Sequence, residues 1–270
     1  MDKFYIITNA RKDKTMEITH RVKKYIESQG KDCVLATPDR VLPEGTECVL
    51  VIGGDGTLIR AAREMHAYDV PLLGINMGTL GYLAEAELQN VEESLSQLIH
   101  GDMQVEKRMM LQGIINDEVE ELALNDIVVT RLGALRVIHF KLYVNGELLN
   151  TYHADGIIIS TPTGSTAYNL SAGGPIVEPT ASLIVITPIC SHALNTSSIV
   201  LSAEDEILIE VTSDREGNEQ TVGLSFDGEC NMEVHTGDSI VIRKASAETK
   251  LLKLSNVSFL EIMRRKMKGN

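Results

Sequence analysis

The stretch 49–58 reads Val49-Leu50-Val51-Ile52-Gly53-Gly54-Asp55-Gly56-Thr57-Leu58. Its first four residues are apolar and predict a buried strand, and the apolar spacing over 57–66 predicts a helix that follows the strand directly. The glycines between them let the backbone approach a ligand, and the first turn of a helix exposes N–H groups that bind phosphate oxygens. The turn therefore predicts a phosphate-binding loop.

This loop differs from the two common nucleotide-binding motifs. Its spacing is neither GxGxxG nor GxxxxGK[ST], and no lysine follows it. Asp55 is the informative residue, because a carboxylate among phosphates is unfavourable unless it handles a hydroxyl proton or a metal. The alternative is that Asp55 only caps the helix, since Asp is a preferred N-cap residue.

Outward from the loop, the first hundred residues alternate between short apolar runs and helical patterns. Strands are predicted at 4–8, 48–52 and 72–75, and helices at 16–28, 57–66 and 91–99. Such βαβα alternation predicts a Rossmann-like α/β domain over residues 1–101, with a parallel sheet covered by helices.

Beyond Gly101 the chain changes to successive short runs rich in Val, Ile and Leu. Strands are predicted at 112–115, 122–130, 137–144, 148–152, 157–160, 183–187, 207–211, 222–226 and 239–243. Asn145-Gly146 is a strong hairpin signal, because a type I′ turn needs positive φ at both central residues. We expect an antiparallel, β-sandwich-like domain over 102–250. A basic amphipathic helix at 258–268 then lies in a terminal segment, 251–270, that we expect to return to the first domain; the alternative is a tail that frays into solvent.

Composition excludes several classes of protein. The chain has 270 residues, 43% hydrophobic and 23% charged, with a net charge of −13 and 4% aromatic residues. An acidic surface repels a phosphate backbone, and few aromatic rings are available to stack on bases, so nucleic acid is not an expected partner. No apolar stretch approaches the roughly 18 residues of a membrane helix, and Asp2 and Lys3 are not followed by an apolar signal core, so we expect neither secretion nor membrane insertion. Four widely spaced cysteines fit reduced thiols, so we expect a cytoplasmic protein without a membrane partner.

A second block of small polar residues lies a hundred positions after the first loop. It is Thr161-Pro162-Thr163-Gly164-Ser165-Thr166-Ala167-Tyr168-Asn169-Leu170-Ser171-Ala172-Gly173-Gly174-Pro175. Such a density of hydroxyls and glycines suits the recognition of ribose and phosphate better than core packing.

With these motifs in order, the chain resembles the NAD kinase family along nearly its whole length. The family's hallmarks are 53–57, the segment from Asn76 to Glu85, Leu124-Asn125-Asp126, Ala154-Asp155-Gly156 leading into 161–175, Pro188-Ile189-Cys190-Ser191-His192 and Phe226-Asp227-Gly228. Diacylglycerol and sphingosine kinases carry a motif similar to the first, and phosphofructokinases a related one. The later blocks separate NAD kinases from them.

The resemblance implies a transfer of a phosphoryl group from ATP, or in some members polyphosphate, to the 2′-hydroxyl of the adenosine ribose of NAD, giving NADP. It also implies a homodimer or homotetramer. We expect Mg²⁺ to be carried on the donor phosphates rather than by dedicated metal ligands, since it commonly keeps water and binds few protein groups. No tightly bound organic cofactor is expected.

The resemblance also assigns site residues by motif position. Asp55 matches the catalytic carboxylate, and the phosphate-binding residues are Gly53, Gly54, Gly56 and Thr57. The residues expected to bind NAD are Asp55, Gly56, Asn125, Asp126, Arg136, His153, Asp155, Thr166, Ala167, Tyr168, Asn169, Leu170, Ser171 and Glu229.

Plainer roles stay open for several of them. Asn125-Asp126 also fits a turn before a strand at 127–130, and Arg136 also fits an exposed loop. His153 and Asp155 are two apart, so on one strand they face the same side and line one pocket. Tyr168 can stack on a planar ring of the dinucleotide.

Two positions depart from the family pattern. Ser197-Ser198 stands where many bacterial relatives have an arginine-proline pair, and Glu229 stands where glutamine, histidine or arginine is common. Two other functions fit the sequence less well than NAD kinase: a lipid or sphingoid-base kinase, which the 161–175 block disfavours, and a catalytically silent NAD(P)-binding sensor, which the presence of Asp55 disfavours.

Overall fold

The chain divides into two compact units in the computed structural model, which describes residues 1–78, 81–133, 137–191 and 197–267. The first unit contains residues 1–108 and 248–270, and the second contains residues 109–247. The chain therefore passes between the units twice, and each passage falls within a long strand.

The first unit begins with alternating strands and helices. They are β1 (Lys3–Thr8), α1 (Glu17–Ser28), β2 (Asp32–Leu35), β3 (Cys48–Gly53), α2 (Asp55–Met65), β4 (Leu72–Asn76), β5 (Ala86–Glu87) and α3 (Val91–His100), with single 3-10 turns at His66–Tyr68 and Leu88–Asn90. The strands pair in parallel in the order β2-β1-β3-β4, and β5 lies parallel to β4.

The core of this unit explains its sheet. All six residues of β3 are buried, as in a parallel strand covered on both faces. The apolar faces of α1 and α3 supply Val22, Ile26, Leu95 and Leu98 to the same core. The carboxyl end of β3 is thereby fixed at the glycine turn that follows it.

The second unit consists mainly of strands. They are β6 (Gln104–Ile115), β7 (Val119–Ala123), β8 (Asp126–Arg131), β9 (Ile138–Val144), β10 (Glu147–Ala154), β11 (Gly156–Ser160), β12 (Leu183–Ile189), β13 (Ile199–Ser202), β14 (Ile207–Val211), β15 (Thr221–Phe226), β16 (Glu229–His235) and β17 (Ser239–Lys253). A 3-10 turn at Thr163–Thr166 and the short helix α4 (Tyr168–Ser171) follow β11.

Every pairing described in this unit is antiparallel. Six strands form one sheet in the order β13-β12-β11-β8-β15-β16. A second set pairs in the order β10-β9-β14-β17, and β6 forms a hairpin with β7. The core draws alternate residues from both sets, among them Phe140, Ile159 and Phe226. The expected fold class, parallel α/β followed by antiparallel β, is confirmed.

The hairpin signal is confirmed as well. Asn145 and Gly146 join β9 to β10 with φ of 50° and 80°, the positive values that a type I′ turn requires. The helix near the end of the chain is α5 (Phe259–Met267), whose Met263 is buried within the first unit. In the described part of the chain, no helix has the length and apolarity needed to cross a membrane.

Some strand predictions were wrong. The predicted strand 122–130 is broken at Leu124 and Asn125, because their N–H groups turn to the carboxylate of Asp227 instead of a neighbouring strand. The strand predicted at 239–243 continues to Lys253. The strands β2, β5 and β16 had no prediction. β2 and β5 have only four and two residues, whereas β16 was overlooked although its alternation of polar and apolar residues is typical of a half-buried strand.

Candidate active site

The glycine turn ends β3 and starts α2. Gly54 is the N-cap of α2, with extended backbone (φ −123°, ψ −175°), and Asp55 is the first helical residue. No side chain of the described residues caps this helix. The Thr57 N–H binds the Gly54 carbonyl at 2.9 Å, whereas the N–H groups of Asp55 and Gly56 have no carbonyl one turn earlier and are available to an anion. Gly56 is exposed in this first turn.

Two of the predicted phosphate-binding residues have internal roles. A Cβ on Gly53 would lie 2.5 Å from Thr57 Oγ1, so Gly53 is packed against the Thr57 side chain. Thr57 is buried, and its Oγ1 accepts a hydrogen bond from Asn9 Nδ2 at 2.9 Å. Among the described residues, a Cβ on Gly54 would meet Lys12 Nζ alone, at 3.1 Å. An ammonium group thus lies beside the exposed part of the turn.

The Asp55 carboxylate turns away from its own helix. Its Oδ2 accepts the Tyr82 N–H at 2.7 Å, and its Oδ1 accepts the Leu83 N–H at 3.3 Å. A Cβ on Gly81 would lie 2.0 Å from Oδ1. The motif at 53–57 is therefore joined to the motif that ends at Glu85. The interpretation of Asp55 as a mere helix cap is wrong, because Asp55 follows the N-cap and bonds elsewhere.

Another carboxylate organises the second unit. Asp227 lies in the turn between β15 and β16, and its oxygens accept the N–H groups of Leu124 at 2.9 Å, Asn125 at 2.6 Å and Asp126 at 3.1 Å. The carbonyl of Asp126 in turn accepts the Asp227 N–H at 2.9 Å. Asp227 thereby holds the Asn125-Asp126 segment in place at the start of β8.

The block at 161–175 docks on the same segment. Thr161 donates its N–H to the Asn125 carbonyl at 2.8 Å and its hydroxyl to the Leu124 carbonyl at 2.6 Å. A Cβ on Gly164 would lie 2.1 Å from the Asn125 carbonyl oxygen, so only glycine allows this approach. Three motifs that are far apart in sequence are thus brought together within the second unit.

Asp126 is buried at this junction, with 4% of its surface exposed. Burial, together with the negative charge of Asp227, raises the pKa of Asp126 to about 7. A carboxyl that is partly protonated near neutral pH can donate a hydrogen bond as well as accept one.

The segment 166–171 divides into buried and exposed side chains. Asn169 is fully buried, with its Nδ2 donating to the carbonyls of Ser165 and Pro175 and its Oδ1 accepting the Thr187 hydroxyl. These contacts, with the Gly174 N–H bound to the Asn169 carbonyl at 2.8 Å, give Asn169 a structural role in holding the loop in shape. Tyr168 and Leu170 are 45% and 39% exposed. Ser171 is also exposed, whereas Thr166 and Ala167 are half-buried.

His153 and Asp155 do not share a strand, so the expectation that they face the same side of one is wrong. His153 lies in β10, and Asp155 occupies the bend before β11, which belongs to a different sheet. Asp155 Oδ1 pairs with Arg131 Nε at 3.1 Å. His153 Nδ1 lies 2.8 Å from His139 Nδ1. Burial of His139 lowers its pKa, and the charge of the nearby His153 lowers this pKa further.

The predicted residues fall in both units. Asp55 and the glycine turn belong to the first, and the NAD-binding residues from Asn125 to Glu229 belong to the second. Glu229 is exposed at the start of β16. Arg136 lies outside the described residues, as does His192. Over the described ranges, no three His, Cys, Asp or Glu side chains form a group that could hold a metal ion.

Sequence reasoning missed three residues that organise the site. Asp227 and Gly81 lie in recognised motifs without an assigned role, and their glycine-rich or turn context could have suggested a structural one. Arg131 had no signal in the sequence, because its partner Asp155 reaches it only through the pairing of β8 with β11.

Comparison with known proteins identifies the family. Residues 4–103 match the ATP-NAD kinase N-terminal domain, and residues 124–254 match the ATP-NAD kinase C-terminal domain. The NAD kinase of Lachnospira eligens is 46% identical over 293 residues, covering 99% of this chain and 100% of that protein. The NAD kinase of Agathobacter rectalis is 46% identical over 282 residues, covering 100% and 99%.

Solved structures share the fold. The yeast NADH kinase complexed with NADH has a TM-score of 0.87 at 22% identity, covering 100% of this chain and 88% of that one. An NAD kinase from Archaeoglobus fulgidus in complex with ATP has a TM-score of 0.80 at 24% identity, covering 98% of both chains. Since both domain models match in order and the relatives align along the whole length, the chain belongs to the NAD kinase family.

Proposed function

We infer that this chain is a kinase that phosphorylates NAD with ATP to give NADP. We further propose that the acceptor is the 2′-hydroxyl of the adenosine ribose and that polyphosphate is an alternative donor. The observation that carries the proposal is the Asp55 carboxylate, which is held by two backbone N–H groups beside the glycine turn at the start of α2.

Phosphoryl transfer asks the protein to position two substrates and to stabilise charge. The free N–H groups of the first turn of α2, around Gly54 and Gly56, suit the donor phosphates. The close approach of Gly53 to the Thr57 side chain keeps this turn tightly packed.

Asp55 is proposed to bind the ribose hydroxyl that accepts the phosphoryl group. Each carboxylate oxygen accepts one backbone N–H and retains a second lone pair that can accept the ribose hydroxyl. As the ribose oxygen bonds to the terminal phosphorus, its proton passes to Asp55 and the bond to the bridging oxygen of ADP breaks. ADP leaves with that electron pair, and NADP carries the phosphoryl group.

We assign NAD binding to the β-rich part of the chain, residues 102–250. Asn125, Asp126, Asp155 and Glu229 are proposed to contact NAD with polar groups, together with His153 and Arg136. The Asp126 carboxyl, with its pKa near 7, can offer both a donor and an acceptor. Tyr168 is proposed to stack on a ring of the dinucleotide, since it is exposed beside small polar neighbours.

Mg²⁺ is proposed to enter as part of the ATP substrate. Within the described ranges, the chain offers no cluster of three acidic, His or Cys side chains, and Mg²⁺ typically binds phosphate oxygens, water and few protein groups. The ion neutralises the phosphate charge when it is bound. A homodimer or homotetramer in the cytoplasm also stays a proposal.

The test is incubation of the pure protein with NAD, ATP and Mg²⁺, followed by chromatographic detection of NADP. Phosphorus NMR of the product locates the phosphate on the ribose, and a parallel reaction with polyphosphate tests the second donor. A folded protein that binds NAD by calorimetry but makes no NADP with either donor would instead be an NAD-binding sensor.

A further inference from the structure

We propose that Gly81 is a positioning residue for the reaction, because the absence of a side chain there creates the space in which the Asp55 carboxylate is held. The proposal rests on the role proposed above for Asp55. It assigns to the segment 81–83 the task of fixing where the proton acceptor lies.

The Asp55 side chain forms its hydrogen bonds outside its own helix. A carboxylate at the start of a helix is often turned back onto N–H groups of the same turn. Here no such side-chain bond caps α2, and both carboxylate oxygens reach Tyr82 and Leu83 instead. The carboxylate is thereby kept away from the N–H groups proposed to bind the donor phosphates.

The Asp55 carboxylate occupies the space that a side chain at position 81 would need. A Cβ on Gly81 would lie 2.0 Å from Asp55 Oδ1 and 2.3 Å from both Cγ and Oδ2. These distances cover the whole carboxylate group, so rotating it about its own axis does not relieve the collision. Any side chain at position 81 must displace Asp55 or move the backbone of 81–83.

Gly78 provides a matched control in the same motif. Within the described residues, no atom lies within 4 Å of a Cβ placed on Gly78, and its φ is not positive. Gly78 is exposed and exchanges hydrogen bonds with the Asn76 side chain through its backbone alone. Gly78→Ala therefore adds the same methyl group without meeting Asp55.

Moving the Asp55 carboxylate would change the position of the proposed proton acceptor. A displacement of about 1 Å in a reacting group can lower a rate about 100-fold while binding is retained. Tyr82 is also fixed by its ring, which lies under the Lys266 ammonium of α5 at 5.2 Å. The segment whose N–H groups bind Asp55 is therefore also in contact with α5 through Tyr82.

The experiment is a double-mutant cycle with Gly81→Ala, Asp55→Ala and the double variant, beside wild type and Gly78→Ala. Turnover, KM for NAD and thermal melting are measured on each. We expect Gly81→Ala to lower kcat by about 10- to 100-fold with KM for NAD within about twofold of wild type. In the Asp55→Ala background, where the collision is gone, adding Gly81→Ala should change neither turnover nor melting temperature.

Other outcomes would overturn the inference. Gly81→Ala with the turnover of Gly78→Ala would show that position 81 does not place Asp55, and so would equal losses in both backgrounds. If Gly81→Ala fails to fold, recovery of folding in the double variant supports the collision, and continued unfolding contradicts it. Failure of the proposed function is distinguishable, because wild type itself would then make no NADP.

Discussion

The carboxylate of Asp227 accepts the backbone N–H of Asn125 at 2.6 Å, across 102 residues of sequence. The same carboxylate accepts the N–H groups of Leu124 and Asp126, so three consecutive donors depend on one side chain. An amide supplies one acceptor oxygen and a donor NH₂ group, so asparagine at position 227 cannot reproduce these hydrogen bonds.

Asp227→Asn should therefore lower the free energy of unfolding by about 1–3 kcal/mol, the cost of leaving buried donors unsatisfied. Urea unfolding followed by circular dichroism measures it. Asp117→Asn is the control, since Asp117 is exposed in the turn between β6 and β7. Equal stability of the two variants would show that Asp227 does not hold the 124–126 segment.

Asp126 should make stability depend on pH. Its folded pKa of about 7 lies above the ordinary value of 3.8, so the folded state binds more protons between these pH values and stability falls as pH rises through this window. Asp126→Asn removes the titration. The unfolding free energy of the variant relative to wild type should increase from pH 4 to pH 8, by at most about 4 kcal/mol.

Urea unfolding at several pH values measures this difference, with Asp117→Asn again as the control. A constant difference between Asp126→Asn and wild type across the window would mean that Asp126 has the same pKa in the folded and unfolded states.

Asp55→Asn should lower turnover by about 10²- to 10⁴-fold, because the amide keeps the shape of the side chain but cannot accept the hydroxyl proton. NAD affinity should stay close to wild type, while the melting temperature should fall slightly, because the amide NH₂ cannot accept one of the two N–H groups of Tyr82 and Leu83. Turnover assays, thermal melts and NAD calorimetry on one preparation separate these effects. Near-normal turnover would remove Asp55 from the reaction.

The two adjacent glycines of the turn should respond differently. Gly53→Ala forces a methyl group into Thr57 and should cost about 1–3 kcal/mol of stability. A Cβ on Gly54 meets the flexible end of Lys12 alone among the described atoms, so Gly54→Val should cost less stability than Gly53→Ala while obstructing the donor phosphates and lowering turnover. Thermal melts and kinetics with varied ATP test the pair, and unchanged turnover in Gly54→Val would make the turn purely structural.

Tyr168 and Asn169 form a second contrasting pair. Tyr168→Ala should weaken NAD binding by roughly 1 kcal/mol or more and leave stability unchanged, because the ring is exposed. Asn169→Ala should mainly lower stability, since its amide is fully buried and bonded on both sides. An unchanged dissociation constant for Tyr168→Ala by calorimetry would argue against stacking.

Local signals located the elements that carry the candidate site. The apolar run before Gly53 and the helical spacing after Thr57 predicted β3 and α2, because a buried parallel strand and an amphipathic helix each impose a period on neighbouring residues. Asn145-Gly146 predicted its hairpin for a similar reason, since positive φ is a property of the turn itself.

Contacts between distant segments left no such period. The break in the strand predicted at 122–130 depends on Asp227, and the separation of His153 from Asp155 depends on two strands joining different sheets. The hydrogen bond from Tyr82 to Asp55 spans 27 residues, and neither segment alone contains a pattern that predicts it.

The amino-acid sequence by itself determined the two classes of secondary structure, the glycine turn, the order of the motifs and hence the family. Only the tertiary structure decided that Asp55 is held by the backbone of 82–83 in a space left by Gly81, and that Asp227 organises Asn125 and Asp126. The reason is physical. Periodicity and turn conformation are set by neighbours along the chain, whereas a hydrogen-bond partner is set by which segments the packed sheets and helices bring together.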